Sequence, residues 1–297
     1  MINGKRVIVG VPMTNLVRHL YWPISEYSVL ASSNTDFVDD ILIVDGQSTD
    51  ETVEFHSNIS PKVKILKGPK WNTEDLSSEN FNKQRNFLYD YCQNLKEDCI
   101  LIFQCSDVFF TDAYRIEIKN VISTMINEKY DFCVTPFIKM LTPWIGLLYT
   151  YKQLDEAWYE IGITQFFKDE KIWHPKWLDI SDHTKADRSL KKLKHRWQTA
   201  PFVYEAWLFD RSAFEKKIQY HDNWDKNLGI DDSIKKMYYW KINQFPICQL
   251  SLKEHPPEFL PILSKLKESH LGFSLFNHLQ TPMSYQDFEI EISKLKL

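Results

Sequence analysis

The sequence predicts an α/β fold with a mostly parallel central sheet flanked by helices. Three observations carry this. Short β-branched runs alternate with helix-length segments through the first half of the chain. The runs are apolar at consecutive positions, as in strands buried on both faces. Polar clusters then follow directly on the runs, where an open parallel sheet presents its ligand-binding edge.

Taken in order, Arg6-Val-Ile-Val-Gly-Val11 reads as the first strand. A helix-length segment follows from about Asn15 to Ala31, interrupted by Pro23. Asp40-Ile-Leu-Ile-Val44 is a second strand, and Ser48-Thr49-Asp50 offers N-cap chemistry for a short helix through about His56. Val63 to Leu66 is a third strand, Ser78 to Leu95 an amphipathic helix, Cys99 to Phe103 a fourth strand and Thr111 to Glu128 another helix. Beyond about Asp131 segments shorten and gain Trp, Tyr and Pro. The sequence therefore divides into a first lobe over 1–130, a smaller mixed lobe over 131–254 and a C-terminal, helix-like extension over 255–297.

Composition excludes several classes. The 297 residues suffice for a sizeable core, and 43% hydrophobic with 26% charged residues is ordinary for a folded chain. A net charge of −4 gives no general attraction to nucleic acid or acidic membranes. The five cysteines (Cys92, Cys99, Cys105, Cys133 and Cys248) form no C-x-x-C pair and read as reduced thiols of a cytoplasmic protein. No signal peptide and no membrane span are expected. P-loop, G-x-G-x-x-G, H-E-x-x-H and G-x-S-x-G patterns are missing, and eight glycines cannot furnish a glycine-rich phosphate cradle. Aromatics are in excess, at 14% with ten Trp. Core packing accounts for most of them, and the remainder suit stacking on sugar rings or bases.

Three clusters end predicted strands: Pro12-Met-Thr-Asn15, Asp45-Gly-Gln-Ser-Thr-Asp50 and Gln104-Cys-Ser-Asp107. Parallel strands bring them to one edge. A carboxylate there can bind a ribose hydroxyl or a base N–H, and a second can hold a divalent cation against a diphosphate. Any one cluster alone reads equally as a loop with an N-cap.

The stretch from Ile41 to Thr52, with Val9 to Asn15 before it, resembles the strand-and-loop signature of family-2-like glycosyltransferases. Asn82-Lys-Gln-Arg-Asn-Phe87 is similar to that family's Arg-Asn helix start, and Phe103 to Val108 stands where the family carries its Asp-x-Asp metal motif. Glu205 to Phe214 resembles the acceptor-side strand, and Asn227-Leu-Gly-Ile-Asp-Asp-Ser233 the family's Glu-Asp motif at a helix start. The resemblance runs over residues 6–255. It implies a GT-A-like fold, a nucleoside-diphosphate sugar donor, a hexosyl or pentosyl transfer and inversion at the anomeric carbon. It makes 1–130 the nucleotide-sugar lobe and 131–254 the acceptor lobe.

By that resemblance Asp232, with Asp231 beside it, supplies the general base. Pro12, Thr14, Asn15, Asp45, Arg85, Asn86, Gln104 and Ser106 are donor-binding, and Asp107 and His255 would hold Mn2+ or Mg2+. Each has a plainer reading: helix capping for Asp231 and Asp232, a surface imidazole for His255, a solvated helix arginine for Arg85. Two departures stand out. Gly46 replaces the family's second Asp, and Gln104 and Ser106 replace both Asp of the metal motif, leaving Asp107 one position later.

The acceptor is open between a saccharide, a lipid-linked sugar and DNA carrying a hydroxymethylated base. The basic run Lys191-Lys-Leu-Lys-His-Arg196 suits the last, and otherwise reads as a solvated face. A catalytically inactive nucleotide-sugar-binding protein is the reading outside enzymes.

Overall fold

The computed structural model describes residues 1–16, 22–71, 78–142, 145–149, 162–169, 191–204, 247–249 and 255–260. Its first half follows the alternation read from the sequence. Strand β1 (Arg6–Met13) leads to α1 (Trp22–Ser33), β2 (Asp40–Asp45) to α2 (Thr52–Ser57), and β3 (Val63–Lys67) to α3 (Ser78–Asn94). Then come β4 (Cys99–Phe103), the short β5 (Val108–Phe109) and α4 (Asp112–Glu128). Among the described residues helix α1 spans Trp22–Ser33, and Asn15 and Leu16 lie in the turn after β1. The Thr111 side chain caps α4 by accepting from the Tyr114 N–H. At α2 the capping differs: Glu51 is the cap residue without a side-chain bond, and the Asp50 carboxylate accepts the Thr52 N–H at 3.1 Å.

Among the described residues seven strands form the main sheet. The later members are β6 (Phe132–Val134), β9 (Gly162–Phe166) and β10 (Lys192–Leu193), in the order β10-β6-β9-β4-β1-β2-β3. Strands β4, β1, β2 and β3 run parallel, and β9 is antiparallel to both β4 and β6. The second sheet has five strands, β12 (Ile247–Gln249), β8 (Ile145–Tyr149), β7 (Phe137–Thr142), β11 (Phe202–Tyr204) and β5, in that order. Strand β5 of the first half thus pairs with β11 of the second, while β6, β9 and β10 extend the first sheet.

Both faces of the main sheet are covered, which is why its strands lack polar alternation. Val7, Val9, Val11, Ile41, Ile43, Ile100 and Ile102 pack with Val29 of α1 and with Ile118, Val121 and Ile122 of α4. On the opposite face Ile8, Leu42, Val44, Leu101 and Phe103 meet Leu88 and Cys92 of α3. Gly10 lies on that face: a Cβ there would sit 2.9 Å from both Leu88 Cδ1 and Leu101 Cδ1. The missing side chain is what lets α3 approach β1. Among the described residues no helix is long and apolar enough to cross a membrane.

Glu117 of α4 fastens the segment entering β11. Its carboxylate accepts from the N–H groups of Gln198 and Thr199, from the Thr199 hydroxyl and from His195 Nε2, at 2.6–3.2 Å. Burial opposes its charge, but the Thr199 hydroxyl, the Gln198 N–H, His195 and the Thr199 N–H outweigh it and lower its pKa. A carboxylate lowered in the folded state contributes stability above its unfolded value, and that contribution is lost as pH falls through the folded value. Glu117→Ala is therefore expected to cost about 2–3 kcal/mol at neutral pH, by leaving several donors unmet. Glu117→Gln should remove part of the stability loss seen on acidification below the ordinary value of 4.5. Urea unfolding at pH 7 and pH 4 measures both, and a neutral Glu117→Ala would show that the clamp contributes nothing.

Candidate functional site

Residues at the carboxyl ends of β1, β2 and β4 converge on one edge. Met13 is in register with Asp45 and Gly10 with Phe103. The ladders continue beyond the strands, since Gly46 N–H donates to Met13 O at 2.9 Å and Gln104 N–H to Gly10 O at 3.0 Å. The polar clusters read from the sequence are therefore neighbours, in the spatial order 104–107, 12–15, 45–50.

The loops after β1 and β2 are laced together. Asn15 adopts φ +51°, which asparagine tolerates better than most residues. Its N–H donates to Ser48 Oγ at 2.9 Å, and its Oδ1 accepts from Thr49 N at 2.7 Å. Asp45 is buried, and its carboxylate accepts from Ser48 N. Thr14 donates to Met13 O at 2.7 Å.

Gly46 has no room for a side chain. A Cβ would sit 2.1 Å from Thr14 Oγ1, 3.0 Å from Trp71 Cβ and 3.3 Å from Gln84 Nε2. This is the physical reason for one departure noted in the sequence. The place of a second acidic side chain is taken by the Thr14 hydroxyl and by two residues from the β3–α3 region. Gly68 N donates to Asp45 O at 2.8 Å, Trp71 N to Gly46 O at 2.9 Å, and Gln84 Nε2 to Pro69 O at 2.5 Å. Trp71 and Gln84 were not singled out in the sequence. A tryptophan soon after a strand was the available signal, masked by the many other tryptophans.

The turn after β4 is held from two sides. Gln104 is fully buried and donates through Nε2 to Ser32 Oγ at 3.1 Å, while Ser28 Oγ donates to Val108 O at 2.5 Å. Both serines belong to α1. From β11, Tyr204 N–H donates to Asp107 O at 2.9 Å. Ser106 and Asp107 are half-buried.

Arg85 is not a solvated helix residue. It is 2% exposed, with its guanidinium carbon 4.2 Å from the centroid of the Phe103 ring at the end of β4. Asn86 beside it is half-buried. Pro12, Arg85 and Gln104 are thus buried, while Thr14, Asn15 and Ser106 are partly accessible.

His255 is 4% exposed and not a surface imidazole. Its Nδ1 is 2.7 Å from the Tyr204 hydroxyl, and its ring meets Phe202 edge-to-face at 5.5 Å. The 3-10 turn Pro257–Phe259 after it is pinned to the N-terminal half. Arg115 Nη2 donates to Glu258 Oε1 at 3.0 Å and to Ala31 O at 3.0 Å, and Phe259 packs on Tyr204 and Phe109. Tyr204 therefore links the backbone of Asp107 to the His255 ring. Burial raises the Tyr204 pKa well above the ordinary value, so its hydroxyl stays protonated.

Among the described residues no group of three His, Cys, Asp or Glu is arranged to hold a metal. A single carboxylate suits a Mg2+- or Mn2+-type ion, which uses few protein donors and completes its shell with water and substrate phosphate oxygens. Asp107 and His255, the two residues expected to hold such an ion, are both joined to Tyr204, Asp107 through its backbone carbonyl and His255 through Nδ1.

The basic run is partly structural. Lys192 and Leu193 form β10, the Lys191 N–H donates to Asp131, and His195 pairs with Glu117. Trp197 belongs to the core, donating to Val134 O at 2.9 Å and packing on Tyr114. Asp231 and Asp232, the segment from Glu205 to Phe214, and Trp144, Trp158, Trp173 and Trp177 lie outside the described residues.

No family model matches the chain, and no curated protein sequence matches it. Its fold is similar to that of solved structures. TarS residues 1–349 of S. aureus share 16% identity over 92% of this chain and 76% of that one, with a TM-score of 0.42. The likeness is one of fold. The chain spans 43% of the longer TarS structure. The 4-diphosphocytidyl-2C-methyl-D-erythritol synthase of Anaerococcus prevotii is 12% identical over 66% of this chain and 89% of that one, TM-score 0.38. Glucosyl-3-phosphoglycerate synthase of Mycobacterium tuberculosis, in complex with Mn2+, UDP and glucosyl-3-phosphoglycerate, is 16% identical over 46% of this chain and 45% of that one, TM-score 0.29.

Proposed function

We propose that the protein is a GT-A-type glycosyltransferase that moves a sugar from a nucleoside-diphosphate donor to an acceptor hydroxyl, with inversion. The observation that carries this is the shared edge of β4, β1 and β2. Asp45 ends β2 and Asp107 lies in the turn after β4, and these strands stand two places apart, roughly 10 Å at the spacing of a sheet. That separation suits a nucleoside at Asp45 and its diphosphate at Asp107.

In this reading Thr14, Asn15 and Asp45 receive the nucleoside. Ser106 faces the diphosphate side, and Arg85 and Asn86 of α3 border the edge. Pro12 and Gln104 shape it from below. A Mn2+ or Mg2+ ion held by Asp107 and His255 would neutralise charge developing on the departing diphosphate. Asp232 takes the proton of the acceptor hydroxyl as its oxygen bonds to the anomeric carbon and the bond to the diphosphate oxygen breaks. Asp231 supports that carboxylate. The acceptor is proposed to be a saccharide or lipid-linked sugar, since a net charge of −4 gives no general attraction to a polyanion.

The test is release of nucleoside diphosphate from a panel of uridine, guanosine, cytidine and adenosine diphosphate sugars, with mixed acceptors and Mn2+ or Mg2+. Turnover of one donor is the expected result. Tight donor binding without turnover across a broad acceptor panel would favour an inactive binding protein, and neither binding nor turnover would overturn the reading.

A further inference from the structure

We propose that Trp71 is a donor-site residue whose indole packs against the nucleobase, an assignment that rests on the donor reading above. The sheet order places it. The edge runs from the β4 end, with Asp107, through β1 to β2, with Asp45, and then to β3. Trp71 follows β3, so it lies beyond Asp45 on the side away from the diphosphate. A donor laid along this edge, with diphosphate at β4 and ribose at β2, directs its base toward that side.

The backbone there is fixed. Trp71 N–H donates to Gly46 O at 2.9 Å, Gly68 N–H to Asp45 O at 2.8 Å, and Gln84 Nε2 to Pro69 O at 2.5 Å. Trp71 Cβ lies 3.0 Å from the position a Gly46 Cβ would occupy. The indole therefore grows from a point in contact with the loop that follows Asp45. Trp71 is half-buried rather than closed into the core. The glycine puts no side chain between Trp71 Cβ and the Thr14 hydroxyl. Stacking on an aromatic ring suits any base, because every base has a π-face. The neutral wall of Thr14, Gly46 and Trp71 thus takes over base binding where the sequence lacks a second carboxylate.

The experiment is calorimetric titration of UDP, GDP, CDP and ADP, and of inorganic pyrophosphate, into wild type, Trp71→Ala, Trp71→Phe and Asp45→Asn. Trp71→Ala is expected to weaken the best-bound nucleotide by about 10-fold or more. Trp71→Phe should recover most of that loss, and pyrophosphate, which has no base, should bind Trp71→Ala as it binds wild type. Equal weakening of pyrophosphate and nucleotide would overturn the assignment, since a merely structural residue would act on both. Undiminished nucleotide affinity in Trp71→Ala, with weakened affinity in Asp45→Asn, would overturn it and leave the donor reading standing. No nucleotide binding to wild type would overturn both.

Discussion

Asp232→Asn is expected to lower kcat for sugar transfer by about 10²–10⁴-fold, the range for removing a positioned general base. Asparagine keeps the size and hydrogen-bonding shape of the side chain and loses only its ability to take a proton. Donor affinity should therefore be unchanged, because in the proposed mechanism the general base meets the acceptor hydroxyl and not the nucleoside or the diphosphate. A fall in kcat at constant donor affinity marks an interaction made in the transition state rather than in binding. Asp231→Asn should have the smaller effect. Initial rates of nucleoside diphosphate release with saturating donor, together with donor titrations, measure both. Unaltered transfer in Asp232→Asn removes it from the role, and a large loss confined to Asp231→Asn moves the role to its neighbour.

Arg85→Ala is expected to destabilise the fold by about 3 kcal/mol or more, as truncations of large buried side chains do. At 2% exposure, with its guanidinium 4.2 Å from the Phe103 ring, this side chain fills the junction between α3 and the end of β4. Truncation empties that junction and removes the cation–π contact. Lysine would not restore it, because a compact ammonium lacks the flat face that lies on the ring. Guanidinium chloride unfolding of wild type, Arg85→Ala and Arg85→Lys measures the effect. A change within about 0.5 kcal/mol, typical of a surface position, would contradict the buried role.

The first half of the fold was legible because its signals are local. Val7 to Val11, Ile41 to Val44 and Ile100 to Phe103 are apolar at almost every position, and Thr111 carries its capping chemistry in its own side chain. The convergence of residues 12–15, 45–50 and 104–107 followed from parallel pairing alone. What was not legible depends on partners far apart in sequence. Strand β9 pairs antiparallel with β4 across about sixty residues, and a three- to five-residue strand gives no directional signal. The burial of Arg85 and His255 was not legible, because only packing against Phe103 and Tyr204 decides it. Gly46 read as the loss of a carboxylate. The reason lies in Thr14 and Trp71, which approach it from two other loops.

The edge formed by β4, β1 and β2 carries the whole functional account. Diffraction from crystals soaked with a nucleoside diphosphate and Mn2+ tests it most directly. The account predicts density across that edge, with the nucleoside against Asp45 and Thr14 and the diphosphate beside Asp107. Density elsewhere, with the three loops empty at a concentration that saturates binding in solution, would contradict it.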